Sequence, residues 1–468
     1  MKKNSIYKFS YLPVLLFMLQ SCFVAKDYSR PEDVVQESAY RTNLSSEDSS
    51  TMAALPWREV FKDPLLQGYI DEALENNVDV RIALQQIEAA NAYYLQGKAS
   101  FFPVLNGNAQ ATHQQLSGNS QFGSILDGSV TQYELTGSLS WEADIWGKIR
   151  SNKRAAEASY LQSIAAQQAI NTRLIASIAS IYYQLVAFDE QKKITEETIA
   201  NREFSLETMK ALKEAGTVNE VGVKQTEAQL HTARAMLIDI EMNSKLLENT
   251  LSILLGGAPQ SIERSSLDDQ AIFVDIKVGY PAQLLRNRPD VLAAEYGLIN
   301  AFELTNVAKS NFYPSLGISA TGGFQSLELD KLLSTNSLFA TTIGSLTQPI
   351  FNQRRIRTQY EVAQAQQQIA YLNFRQSLLD ASKEVSDALY SYEAAGKKIA
   401  VKTEEFQAYD ISVEYSEELL NNGFANYLEV LTARENALRS ELDLINARYN
   451  RLNSAIELYR ALGGGWQQ

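Results

Sequence analysis

The sequence is poor in the residues that most often carry catalysis, metal binding or disulfides. Its 468 residues include one cysteine, two histidines and ten prolines. One cysteine excludes an intrachain disulfide and a cysteine-based zinc cluster, and His113 and His231 lie too far apart to suggest a metal centre. The 42 basic residues are outnumbered by 55 acidic ones, which argues against a protein that binds nucleic acid by neutralising phosphates.

Catalytic motifs are missing as well. The sequence contains no Gly-x-Ser-x-Gly, no His-Glu-x-x-His and no glycine-rich phosphate loop, so a hydrolase or transferase is a remote third choice. Gly463–Gly465 follows the last predicted helix and is typical of a helix stop. We therefore expect no enzyme activity, no cofactor and no metal site.

The N-terminus has the pattern of a secretion signal. Lys2, Lys3 and Lys8 precede a short apolar run, Tyr11–Leu19, which is too short to span a membrane. The only cysteine, Cys22, stands where such a signal would be cut. We predict a lipoprotein signal at 1–21, lipidation of Cys22 and a lipidated tether over 22–63; an ordinary signal with a chance cysteine is the alternative.

The chain repeats itself at a constant offset of 207 residues. Gly216 and Asn219 recur as Gly423 and Asn426, and upstream Phe102-Pro103 resembles Tyr313-Pro314 at an offset of 211. Such a long period indicates two copies of a large unit rather than a solenoid. The predicted division is a first structural repeat at 64–257, a connector at 258–288 and a second repeat at 289–468.

Long helices are predicted in both repeats. In the second, a heptad of apolar residues marks one helix face: Tyr371, Leu378, Val385, Tyr392, Ile399, Phe406, Val413 and Leu420. A sustained heptad indicates left-handed supercoiling against neighbouring helices. We expect helices over 64–101, 149–214 and 289–312, with return helices at 219–255 and 426–462. The heptads alone fit an ordinary antiparallel bundle equally well.

Four segments show the two-residue period of strands. Polar residues alternate with apolar or glycine residues without exception over Gln132–Ile145, and more weakly over Leu105–Ala111 and Leu316–Phe324. Phe339–Ile350 is assigned mainly by the repeat. The length of the first segment suits a membrane barrel. Four strands cannot close one, so strands in a membrane would require several chains to share a barrel.

Together these segments resemble the TolC-like outer-membrane efflux factors, in the lipoprotein branch that serves resistance-nodulation-division pumps. The motifs that carry the resemblance are Trp57–Leu65, Trp141–Lys148, Leu254–Gly256, Leu284–Asp290, Gln348–Phe351 and Leu458–Trp466. The resemblance implies a mainly α fold with a small β part: a trimeric long α-helical barrel continuous with a shared twelve-stranded transmembrane β-barrel.

The resemblance also implies function and partners. It implies a passive outer-membrane duct of a tripartite efflux system, lipid-anchored, extending into the periplasm of a Gram-negative bacterium and exporting drugs or other small toxic compounds. The implied partners are two further copies of the chain, a periplasmic adaptor, an inner-membrane resistance-nodulation-division pump and outer-membrane lipid, with no nucleic acid.

The resemblance places an iris gate at the periplasmic end. The helices flanking Gly423 would move, and acidic rings after that turn would line the constriction. The first ring falls on Glu429; the second falls on Thr432, which carries no charge, and Glu435 could partly replace it. Because like charges on a threefold axis repel, we expect polar contacts between helices near the turns to hold the gate shut. The turns that an adaptor would meet are Gly216, Thr217, Val218, Gly423, Phe424 and Ala425.

One alternative comes from another class of protein. A lipid-anchored periplasmic coiled-coil scaffold or adaptor would explain the signal, Cys22 and the heptads. It leaves the alternation at Gln132–Ile145 unexplained.

Overall fold

The computed structural model describes residues 25–31, 51–121, 128–267, 270 and 283–467. Its helices are α1 (Trp57–Val60), α2 (Pro64–Asn76), α3 (Val78–Ala99), α4 (Lys148–Glu214), α5 (Glu220–Leu254), α6 (Leu284–Asn287), α7 (Pro289–Ser310), α8 (Arg355–Asn421) and α9 (Tyr427–Ala461). Its strands are β1 (Val104–Gln115), β2 (Ser129–Ala143), β3 (Ser315–Ser326) and β4 (Leu338–Thr347). Short 3₁₀ turns cover Met52–Ala54, Leu329–Lys331 and Thr335–Ser337.

The internal duplication is confirmed by matching elements. Helices α4 and α8 are both 67 residues long, and the return helices α5 and α9 are both 35. Each pair starts and ends at the predicted offset. The heptad face of α8 is turned inward, with Leu378 and Val385 almost fully buried. Amphipathic packing, more than intrinsic propensity, stabilises helices of this length.

One predicted helix is interrupted. The 64–101 segment breaks at Asn77, which separates α2 from α3. The Asn77 side chain accepts hydrogen bonds from the backbone N–H groups of Asp79 and Val80, so it acts as the N-cap of α3. Its amide also donates to the Leu254 carbonyl at 2.9 Å. The break therefore connects the start of α3 to the end of α5.

The second repeat forms the corresponding contact with a different residue. Arg288 precedes α7 as Asn77 precedes α3, and its guanidinium donates to the Ala461 carbonyl at the end of α9, 3.0 Å away. In both repeats a glycine lies beside this contact. A Cβ on Gly463 would lie 2.3 Å from the Asn287 carbonyl oxygen, so the close approach of the two chain segments requires glycine there.

The four strands form one antiparallel sheet in the order β1-β2-β3-β4. The two hairpins have the same register: Val104 faces Ser140 in the first, and Ser315 faces Thr347 in the second. Strand β2 ends two residues before the predicted Ile145. Asp144 turns the chain there and accepts hydrogen bonds from the N–H groups of Ile149 and Arg150 at the start of α4.

The described residues fall into two compact units. One comprises residues within Met1–Arg30, Ile87–Gln162 and Ala294–Phe374; the other comprises residues within Pro31–Gln86, Ser163–Ala293 and Arg375–Gln468. Each unit draws on both repeats, so the units do not coincide with the two copies. In the part of the chain that the structure describes, no helix is long and apolar enough to be a candidate membrane span.

Candidate functional site

The predicted gate region consists of two helical hairpins and their turns. The first hairpin is α4–α5 and its turn, Ala215–Asn219, is the first tip. The second hairpin is α8–α9 and its turn, Asn422–Asn426, is the second tip. Both tips have the same helix-ending glycine and the same N-cap asparagine, but the side chains near them differ.

Glycine ends the long helix at each tip. Gly216 has φ +76° and Gly423 has φ +77°, the left-handed conformation that terminates many helices. The next residue in each case, Thr217 or Phe424, donates its backbone N–H to a carbonyl five residues earlier, at 2.9 and 2.8 Å. This satisfies carbonyls that the helix end would otherwise leave unpaired.

Most of the predicted adaptor-contact residues lie at the surface. Gly216, Thr217 and Gly423 are exposed, and the Phe424 ring is 81% exposed. Val218 and Ala425 are half-buried. An apolar ring so open to solvent at a tight turn is an unusual use of phenylalanine, since aromatic residues normally bury most of their surface.

The first predicted ring residue, Glu429, is exposed at the start of α9. Asn426 is the N-cap of this helix: its side-chain oxygen accepts from the Glu429 N–H, and its amide donates to the Glu429 carboxylate at 2.8 Å. The two residues thus bind each other at the helix start, where the helix dipole also favours a negative charge. Glu429 therefore stabilises the helix start while it presents its charge to solvent.

Thr432 and Glu435 behave differently from each other. Thr432 is exposed, and its hydroxyl donates to the Leu428 carbonyl within the helix. The Glu435 carboxylate instead lies 2.6 Å from the guanidinium of Arg202 on α4. The third predicted gate residue is thus engaged with the other hairpin of the same chain.

Arg202 joins three helices near the tips. It is 6% exposed, donates to the Gln229 backbone carbonyl on α5 and forms the ion pair with Glu435 on α9. A buried guanidinium that keeps these partners is satisfied, but loss of one partner leaves a desolvated charge. The position of α9 is therefore coupled to the first hairpin through this residue.

Arg434 provides a second connection. Its guanidinium donates to the Ser205 hydroxyl on α4 at 2.7 Å and forms an ion pair with Glu417 on α8 at 2.6 Å. We call Arg202, Glu435, Arg434, Ser205 and Glu417 the tip latch. Sequence analysis foresaw polar contacts near the turns but identified only Glu435 among these residues.

Apolar packing supports the same region. Leu206, Met209, Val223 and Leu230 form a buried cluster inside the first hairpin. Tyr427, the first residue of α9, packs against this cluster, and its hydroxyl is buried without a hydrogen-bond partner. Near the tips, Tyr427 and the tip latch both connect the second hairpin to the first.

Cys22 lies outside the described residues. The segment that follows it is fixed to the protein at Arg30, whose guanidinium forms two hydrogen bonds with the Glu295 carboxylate at 2.7 and 2.6 Å. Glu295 is largely buried on α7. The Lys26 backbone is held as well, by both side-chain groups of Asn306.

Paired long helical hairpins, a four-stranded sheet and an internal duplication define a class: outer-membrane export channels. The model of the family described as outer membrane efflux protein matches residues 69–257 and 280–464, most of both repeats. The chain belongs to this family. Three copies of the chain form a trimer, an α-helical barrel continuous with a shared β-barrel to which each chain contributes four strands.

Individual relatives agree over nearly the whole chain. The solvent efflux pump outer membrane protein SrpC of Pseudomonas putida is 30% identical over 98% of this chain and 99% of its own. The cation efflux system protein CusC of Escherichia coli O157:H7 is 28% identical over 96% and 97%. The open state of the Neisseria gonorrhoeae MtrE outer membrane channel matches with a TM-score of 0.85 at 25% identity, over 95% and 99% of the two chains.

The protein is therefore an outer-membrane efflux channel that extends into the periplasm of a Gram-negative bacterium. The alternative of a periplasmic scaffold or adaptor is wrong, because family members with this fold over their whole length are channels. The heptads that suggested a scaffold belong to the helical part of the channel.

Proposed function

We propose that the chain is the exit duct of a tripartite pump and that its tip latch holds the periplasmic entrance closed. The duct performs no chemistry and passes small toxic compounds, such as organic solvents, drugs or metal cations, that a resistance-nodulation-division pump delivers. The names of SrpC and CusC support this range of cargo for the family. They do not select one compound for this chain.

The observation that carries the proposal is the Arg202–Glu435 pair. It links the first hairpin to the second close to the tips, and Arg434–Ser205 adds a second link. Opening by movement of the second hairpin would break both contacts. An open state among the similar structures supports the idea that this fold has two arrangements. A partner opens the gate if it binds the open arrangement more tightly than the closed one.

Glu429 and Thr432 are proposed to line the constriction. Both are exposed, and they lie three positions apart in α9, so they share one helix face. Three Glu429 carboxylates around the trimer axis would repel one another and favour cations. The three neutral Thr432 side chains around the axis would weaken both the repulsion and the preference for cations. Glu435 is better assigned to the latch than to a ring, because its charge is already paired.

The two tips are proposed as the contact surface for a periplasmic adaptor. The exposed Phe424 ring supports this assignment, since it offers an apolar anchor at the end of the second hairpin. We also propose that Cys22 carries the lipid anchor. The contacts of Lys26 and Arg30 support it by holding the following segment against α7.

Single-channel conductance in a planar bilayer tests the proposal. We expect wild-type trimers to be mostly closed and Glu435→Gln to open more often, because the variant loses a charge-assisted bond worth about 1.5–3 kcal/mol. That corresponds to at least a tenfold shift of the equilibrium for each chain. Glu418→Gln, an exposed carboxylate on the same hairpin, is the matched control and should behave as wild type.

The outcomes separate the parts of the proposal. A pore whose gating is unchanged in Glu435→Gln would keep the channel but reject the latch. Glu429→Ala should lower cation selectivity if Glu429 lines the constriction, and because it removes the repulsion between the three carboxylates it should not make the pore open more often. Folded protein that forms no conducting pore would reject the duct itself.

A further inference from the structure

The sheet of one chain ends in two unpaired edges. In the strand order β1-β2-β3-β4, strands β1 and β4 have a neighbour on one side only. In the shared barrel, β4 of one copy therefore lies beside β1 of the next. Large apolar side chains are exposed at this boundary, next to the helices: Phe102 and Leu105 on one edge, Ile350 and Phe351 on the other.

A boundary of the same kind already exists inside the chain. Strands β2 and β3 join the first repeat to the second, with Ser140 opposite Ser319. Just beyond the strands, Trp146 packs on Tyr313 with 4.9 Å between ring centroids, and its indole N–H donates to the Pro314 carbonyl at 2.7 Å. This contact closes the boundary between repeats at the base of the sheet.

The duplication relates the two boundaries residue by residue. At an offset of 207, Ser140 and Trp146 correspond to Thr347 and Gln353. At an offset of 211, Ser319 and Tyr313-Pro314 correspond to Asn108 and Phe102-Pro103. If the boundary between copies repeats the one within a chain, Thr347 faces Asn108 of the next copy and Gln353 reaches Phe102-Pro103.

The chain itself shows that glutamine can replace tryptophan in such a contact. Trp141 in the first repeat donates its indole N–H to the Phe101 carbonyl at 2.9 Å. Its equivalent in the second repeat is Gln348, whose amide donates to the equivalent carbonyl, that of Phe312, at 3.3 Å. Gln353 replaces Trp146 in the same way. The replacement would preserve the hydrogen bond to a carbonyl but lose the aromatic ring.

The turn that carries Gln353 is strained in the single chain. Gly147 at the first boundary has φ +76°, whereas the second repeat places Arg354 there with φ +65°, preceded by Gln353 with φ +56°. Side chains tolerate this left-handed region poorly, and such conformations persist where surrounding contacts enforce them. Within one chain, Ile350 and Phe351 of this turn are almost fully exposed.

We propose that the boundary between copies reproduces the β2–β3 boundary: Thr347 pairs with Asn108 of the next copy, and the 350–353 turn covers Phe102 and Pro103 of that copy. The Gln353 amide donates to the carbonyl oxygen of that Pro103. The turn thereby acts as a clasp between protomers at the base of the sheet.

Paired cysteines test the register. Thr347→Cys with Asn108→Cys should give a covalent trimer on a non-reducing gel after mild oxidation. The matched control is Ser140→Cys with Ser319→Cys, which occupies the equivalent observed pair and should crosslink within one chain. In a second control, Thr347→Cys with Asn106→Cys, the cysteine on β1 is two residues away from Asn108 and on the same face of the strand. This pair should crosslink several-fold less.

The result that overturns the register is an uncrosslinked double variant whose reduced form still migrates as a trimer. Faster crosslinking of the displaced pair would overturn it too. A photo-reactive phenylalanine analogue at Phe102 gives a second measurement that does not depend on the double variant. Adducts mapped to 350–353 of another chain support the clasp; adducts confined to the same chain reject it.

The Gln353 hydrogen bond has its own test. Gln353→Ala should lower the temperature at which trimers dissociate in detergent, and Gln353→Asn should not restore it because its side chain is shorter by one methylene. The control Trp146→Phe removes the equivalent bond within one chain and should leave trimer dissociation unchanged. An unaltered dissociation temperature in Gln353→Ala would remove this bond from the proposal.

Discussion

The first and second hairpins have the same length and the same caps, yet they are packed differently. Met209 is buried inside the first hairpin, where the second has Ser416 at the equivalent position. Tyr183 is fully buried on α4, whereas its equivalent on α8, Tyr390, is 76% exposed. The difference teaches that duplication preserved the backbone while individual side chains diverged, so that equivalent positions of the two hairpins have different packing.

The base of the second hairpin should be the most sensitive point. Arg288 is almost fully buried and binds Asp290, Glu384 and the Ala461 carbonyl. Arg288→Ala would leave Asp290 without its cation and Glu384 with Arg460 alone. Because several charge-assisted bonds worth about 1.5–3 kcal/mol each are lost together, the variant should be destabilised by about 3–5 kcal/mol, measured by thermal unfolding.

Asn77→Ala, the equivalent change in the first repeat, removes the N-cap of α3 and the hydrogen bond to the Leu254 carbonyl, all between neutral groups, and should cost less. Equal losses of stability in the two variants would show that the charge of Arg288 does not make the base of the second hairpin more sensitive than that of the first.

A cavity inside the first hairpin should have the next largest effect. Met209→Ala removes a buried side chain from the apolar cluster and should cost about 2–5 kcal/mol. Ser416→Ala, at the equivalent place in the second hairpin, should be close to neutral. Hydrogen exchange of the tip amides would measure both. Similar protection changes in the two variants would contradict the contrast between the hairpins.

The smallest expected effect concerns pH. Burial raises the pKa of Glu441 on α9, and the nearby charges of Glu197, Asp410 and Glu190 raise it further. Because the native pKa lies above the unfolded one, protonation favours the folded state, and this stabilisation is lost as pH rises through the native pKa. Glu441→Gln should raise the melting temperature slightly at neutral pH and flatten its pH dependence.

The control for this prediction is Glu404→Gln, which alters an exposed carboxylate on α8. It should leave the slope of melting temperature against pH unchanged. If Glu441→Gln also leaves that slope unchanged, the carboxylate cluster does not influence the stability of the second hairpin.

Sequence alone predicted much of the fold because its signals were local or repeated. Unbroken alternation identified β2, and the constant offset transferred the elements of one repeat to the other, including the ambiguous β4. The break at Asn77 was missed because the apolar pattern continues across it. Only the structure shows that Asn77 caps α3 and binds the end of α5.

The site was less predictable because its contacts join distant parts of the chain. Arg202 and Glu435 are 233 positions apart, and no local motif marks either residue. Sequence analysis placed Glu435 beside a ring by its distance from the turn. Its actual partner depends on which face of α9 meets α4, and that follows from packing between hairpins.

Because α4 and α8 have the same number of residues, both tips lie at the same distance along the chain from equivalent residues of their strands. Each residue adds 1.5 Å and turns the helix by about 100°. One inserted residue in α8 would therefore displace the second tip along the helix axis and change the direction in which it faces. We expect such insertions to be tolerated only in whole turns or when made in both repeats. The number of residues between strand and tip is therefore itself a structural requirement of the channel.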